Sequence, residues 1–212
     1  MMNDKGRAIL AAVEAKRGYT LPYHRMMAAS SPELLAAYDA FYEQLTLVPR
    51  ILTPVQRETV WAGLLAAARE VHGFIHMKRA EKAGMTHDDI ARAVAIAAVA
   101  QSWDVFSFSG ENWSAWTLPD AVTERYLALF ETARGDLDPA LAHLVALVCH
   151  GACRREKATV LHLKMGFAAG LTADQIAEGM SYMIIPCGGN TLIEAVHYWE
   201  EAAKAGLVPS PS

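Results

Sequence analysis

Two stretches set the pattern of the chain. In ETVWAGLLAAAREV (Glu58 to Val71) and LAHLVALVCHGACRR (Leu141 to Arg155), apolar residues recur at helical spacing on an alanine-rich background. Ser31-Pro32, Thr53-Pro54 and Asp138-Pro139 each put a capping oxygen before a proline suited to the first helical position. Thr86 with Asp89, and Thr172 with Gln175, read as capping boxes. Gly84 and Gly170 stand just past helix ends, where a left-handed residue is wanted. No strand-like alternation bounded by turn signals interrupts these patterns. The expected fold class is all-α, a tandem-repeat helical bundle.

The repeat is visible in the letters. HMKRAEKAGMTHDDI begins at His76 and HLKMGFAAGLTADQI at His162, 86 residues later. Aligning the two histidines places Gly84 on Gly170, Thr86 on Thr172, Ile90 on Ile176 and Trp113 on Trp199 without a gap. The expected organisation is a helical preamble over 1–49, a first copy over 50–116, a connector over 117–135 and a second copy over 136–212, packed as one compact domain. A helical hairpin unit cannot bury its faces alone, so the copies are expected to pack on each other about a pseudo-twofold axis.

Composition narrows the class. Hydrophobic residues make up 53% of the 212, charged residues 20%, and the net charge is −4, without the basic patch of a nucleic-acid binder. The longest apolar run, Ala93 to Ala100, is under half a membrane span. The start MMNDKGRAIL has no apolar signal core. Three cysteines, Cys149, Cys153 and Cys187, do not make a disulfide framework. A cytoplasmic protein that binds neither nucleic acid nor membrane is expected.

The pattern His-x7-Gly-[apolar]-Thr followed by an apolar helix resembles the carboxymuconolactone decarboxylase and alkylhydroperoxidase D-like superfamily, most closely from Arg155 to Trp199. The preamble SPELLAAYDAFYEQL is similar to the helix these proteins place before their core. The resemblance implies an all-helical fold and a homo-oligomer, a trimer or hexamer. It also implies one of two chemistries. The peroxidase branch uses Cys-x-x-Cys-x-x-x-His; counting back from His76 gives Arg69 and His72, and from His162 gives Arg155 and Ala158. Both thiol relays are missing. Cys149 and Cys153, four apart, read as buried apolar residues.

Glu58 stands within one residue of the family's relay glutamate. With His72 and His76, four apart and so expected on one helix face, it makes an imidazole–carboxylate set suited to moving protons near neutral pH. The corresponding positions of the second copy are His143, Ala158 and His162. Glu58, His72, His76 and His162 are therefore the candidate catalytic residues. A carboxylate beside a histidine is expected to raise its proton affinity. His72 and His76 could chelate a metal, but no third ligand is evident, so no cofactor is expected. Trp103, among several tryptophans, could line a pocket for a planar substrate, and Arg155, if it points inward, could bind a carboxylate.

Two functions stay open. One is a decarboxylase-like lyase that passes protons to a small carboxylated or lactone-like compound. The other is a binding or scaffold protein whose relay has decayed. Peroxidase activity is a third, weaker reading.

Overall fold

The computed structural model describes residues 2–117 and 119–211. Among them there is no strand, and no helix is long and apolar enough to cross a membrane. The chain divides into two compact units, Met1–Pro49 and Arg50–Ser212.

The first unit holds α1 (Asp4–Arg17), α2 (Pro22–Ser30), α3 (Pro32–Tyr42) and a π-helical turn, Glu43–Leu47. Val13, Met27, Ala28 and Leu35 form its core. Arg17 is buried in it, forked onto Asp39 at 2.6 and 2.9 Å with its cation 3.9 Å from the centre of the Tyr42 ring. Ser31, expected to cap α3, makes no side-chain cap bond; its backbone is already turned away at φ −154°, ψ 83°.

The second unit starts with α4 (Pro54–Ala68), a 3-10 turn (Val71–Gly73), α5 (Phe74–Lys82) and the long α6 (His87–Asn112). Then come α7 (Ser114–Thr117), α8 (Pro119–Arg134), α9 (Pro139–Ala152) and α10 (Glu156–Ala168). It ends with α11 (Ala173–Ser181), a 3-10 turn (Tyr182–Ile184) and α12 (Gly189–Lys204). The stretch read as a connector thus carries a helix, α8.

Sequence signals account for the boundaries. Thr53, Thr86 and Thr172 each close a capping box, with Gln56, Asp89 and Gln175, and Asp138 accepts from the Leu141 amide at 2.9 Å. Gly84 and Gly170 adopt φ of 95° and 101° between the second and third helices of each copy. The third helix differs between copies. Where α6 runs unbroken, the second copy stops at Pro186 and Gly188, whose φ of 84° suits glycine, and restarts as α12.

The first helices of the two copies, α4 and α9, form the core. Every residue of α9 from Leu141 to Gly151 is buried, as is Glu58 to Leu65 of α4. Gly63 of α4 sits against α9, where a Cβ would lie 2.4 Å from Val145 Cγ1. Only hydrogen fits there.

Candidate active site

Glu58 leaves α4 on a fully buried turn, and His76 leaves α5 one element later. Their side chains meet, with His76 Nδ1 2.8 Å from Glu58 Oε2. A carboxylate only accepts, so Nδ1 carries the proton and Nε2 keeps a free lone pair. The second oxygen, Oε1, accepts from Arg57 Nε at 3.0 Å. Trp61, one turn along α4, stacks on the His76 ring at 4.2 Å and on the Tyr182 ring at 4.9 Å. Tyr182 donates to Glu178, whose other oxygen accepts the Ile51 and Leu52 amides and so ties the entry to α4 onto the second copy. Glu58 is completely enclosed, while His76 keeps 6% of its surface exposed.

The electrostatic expectation for His76 is reversed. Burial is the largest influence and favours the neutral ring. The Glu58 carboxylate opposes it, and Arg79 and Arg57 add to it. The net result is a proton affinity below that of an ordinary histidine. The dyad at rest is a neutral imidazole held on a carboxylate.

His72 does not join it. The expected single helix is broken into the 3-10 turn and α5, because α4 ends at Ala68, Arg69 turns left-handed at φ 56°, and Glu70 caps the His72 amide at 2.9 Å. His72 is exposed, without the shared face that chelation with His76 would need. Among the described residues, no three histidine, cysteine or carboxylate side chains are grouped to hold a metal.

In the second copy, His162 is completely buried. Its Nδ1 lies 3.0 Å from His143 Nδ1, the counterpart of the Glu58–His76 contact. Its Nε2 lies 2.8 Å from the Tyr126 hydroxyl, which also reaches His150 Nε2 at 2.6 Å. Phe130 stacks on His143 at 4.8 Å. The result is a line of four side chains, His143–His162–Tyr126–His150, ending at a buried His150 Nδ1 without a hydrogen-bond partner among the described residues. Burial lowers the proton affinity of all three rings, to about 4 for His143, about 3 for His150 and well below the usual value for His162. Sequence reasoning passed over Tyr126 and Phe130, which lie in the supposed connector, and His150; the i, i+7 spacing of His143 and His150 on one apolar helix was the available signal.

Arg155 does point inward, but its guanidinium is already engaged. It forks onto Asp104 at 2.6 Å twice and also donates to the Ala100 carbonyl and Gln101. Trp103 is buried with its ring edge-on to Tyr126 at 4.9 Å. Both residues border a surface cleft of about 380 Å³. A second cleft, of about 400 Å³, lies against the first copy between α4, α5 and α6, with Ala62, Leu65, Phe74, Met77 and Val94 in its walls and Arg69 beside them.

The cysteines are poorly placed for thiol chemistry. Burial pushes the Cys149 thiol far up, and Cys187 to about 11. Cys153 sits at the end of α9, accepting from Gln101.

One family model matches the chain twice, over residues 32–109 and 117–201; it describes the Carboxymuconolactone decarboxylase family. No curated protein and no solved structure matches the chain.

Proposed function

From the premise that the chain belongs to the carboxymuconolactone decarboxylase family, we propose that it is a lyase in which His76, held by Glu58, protonates a small carboxylated or lactone-like compound as it loses CO2. Loss of CO2 breaks the bond to the carboxyl carbon and leaves the electron pair on the substrate as an enolate or carbanion. That pair needs a proton. His76 takes one at Nε2 from solvent, through its remaining exposed edge, and delivers it to the carbon. A lowered proton affinity makes the imidazolium a stronger acid, and Glu58 on Nδ1 fixes the ring and offsets its charge.

The observation that carries this reading is the 2.8 Å Nδ1–Oε2 contact on a ring that burial has not sealed. Self-association belongs to the reading as well. Val105, Phe108, Trp113 and Trp116 stand 50–82% exposed near the end of α6 and on α7, and a strict monomer in light scattering at micromolar concentration would count against it.

The test is CO2 release from carboxymuconolactone and a panel of small carboxylated lactones. Turnover is expected, and His76→Ala is expected to lower it at least about a hundredfold with the fold intact. No turnover across the panel, or equal turnover by His76→Ala, rejects the assignment.

A further inference from the structure

The helices α4 and α9 end in the same unusual way. Arg69 adopts φ 56° immediately past α4, and Arg154 adopts the same φ one residue after Cys153, the cap of α9; glycine is usual at such turns. The hydrogen bonds also repeat. Arg69 N donates to Ala66 O and Glu70 N to Leu65 O, as Arg154 N does to Gly151 O and Arg155 N to His150 O. An arginine in a left-handed cap is less favourable than glycine, so its side chain is the feature to explain.

In the second copy the explanation is visible. Arg154 Nε lies 3.2 Å from Glu194, and its terminal nitrogen donates to Thr191 at 3.3 Å, tying α9 to α12. The positions 86 residues earlier are Val105 and Phe108, neither of which carries an anion. Arg69 accordingly has no ion pair and no side-chain hydrogen bond among the described residues. It stands instead at the cleft of about 400 Å³ walled by Leu65, Phe74, Met77 and Val94. Glu70, the one anion at this cleft, has an oxygen already occupied by the His72 amide.

We propose that this cleft binds a small organic carboxylate with an apolar body, its carboxylate paired with Arg69. The apolar walls receive the body and the unpaired guanidinium supplies the anion contact that Glu194 supplies to Arg154. The cleft lies on the elements that carry the dyad. Ala62 is one turn from Glu58, and Gly73, also in the cleft wall, is one turn from His76. Among the described residues, Glu58 and His76 are not part of the cleft's lining. The cleft is a binding site in its own right, and only the ligand's fate after binding rests on the proposed function.

Binding is tested apart from turnover, by calorimetry of the full chain with phenylacetate and its uncharged counterpart 2-phenylacetamide. Arg69→Gly removes the charge and puts the favoured residue in the left-handed cap, so the fold is kept. The expected result is phenylacetate binding that weakens about tenfold or more in Arg69→Gly, and a similar preference for the acid over the amide. Arg154→Gly, at the matching turn, is expected to leave the affinity unchanged. Undetectable phenylacetate binding by the native chain, equal affinity in Arg69→Gly, or equal binding of acid and amide overturns the proposal. Because no turnover is read, a failed decarboxylase assay does not affect the result, and a failed binding assay leaves the dyad's assignment standing.

Discussion

His143 and His162 face each other Nδ1 to Nδ1 at 3.0 Å, so one of these atoms carries a proton and the other must be bare. The direction chosen there runs through the whole line. If His162 donates to His143, its Nε2 accepts from Tyr126, whose oxygen accepts from His150; if His143 donates, every bond reverses. Neither arrangement has room for an added charge.

Acid should therefore weaken the fold. His143 and His150, at about 4 and about 3 when folded, and His162, well below normal, all sit under the value of about 6.5 they regain on unfolding. Between those values the unfolded chain binds more protons. The contribution is fully present above about pH 6.5 and is lost as pH falls, by about 4 kcal/mol per unit while all three differ. Urea midpoints at pH 7.5 and 5.5 check this, and an unchanged midpoint contradicts it.

Tyr126→Phe removes the hydroxyl shared by His150 and His162 and leaves two buried ring nitrogens unpaired. A loss of roughly 1–3 kcal/mol per orphaned group is expected, read as a lowered unfolding midpoint in denaturant. A midpoint within about 0.5 kcal/mol of native would show the line to be energetically idle.

The dyad has its own pH signature. With His76 as proton donor and its affinity lowered by burial, decarboxylation should rise as pH falls from 8 toward 6, following the imidazolium fraction. In Glu58→Gln the carboxylate that favours the charged ring is gone, so the profile should shift further to acid and activity at pH 7 should drop. A rate that increases with pH would make His76 a base instead.

Gly63→Ala places a methyl 2.4 Å from Val145 Cγ1 between two buried helices. Overpacking of about 1–3 kcal/mol is expected from thermal unfolding. The second substitution Val145→Ala should recover part of it by making room, and if it does not, the close approach is not the cause.

Local signals carried most of the fold. The threonine boxes and the paired glycines Gly84 and Gly170 set helix ends from residues three or four apart, and a sequence shows such spacings directly. The Glu58–His76 pairing was legible through the resemblance that put Glu58 within one residue of the family's relay glutamate. What escaped depends on the third dimension. His72 left its expected face because Arg69 turns left-handed, a conformation its side chain does not announce. Arg155 is occupied by Asp104, 51 residues away, and Tyr126 reaches the histidines from a helix outside the repeated pattern. The proton affinity of His76 was read in the wrong direction because a carboxylate neighbour is legible in a sequence and the depth of burial is not.

The fusion of two copies has a consequence beyond packing. When separate identical chains assemble around an axis, any substitution appears at every equivalent place at once, and the symmetry cannot be broken by mutation. Joined in one chain, the copies vary independently. Glu58 opposite His76 and His143 opposite His162 occupy matching positions with unlike chemistry, one ring open to solvent at its edge and the other closed off. Duplication here has produced a heterodimer of helical units encoded as a single polypeptide.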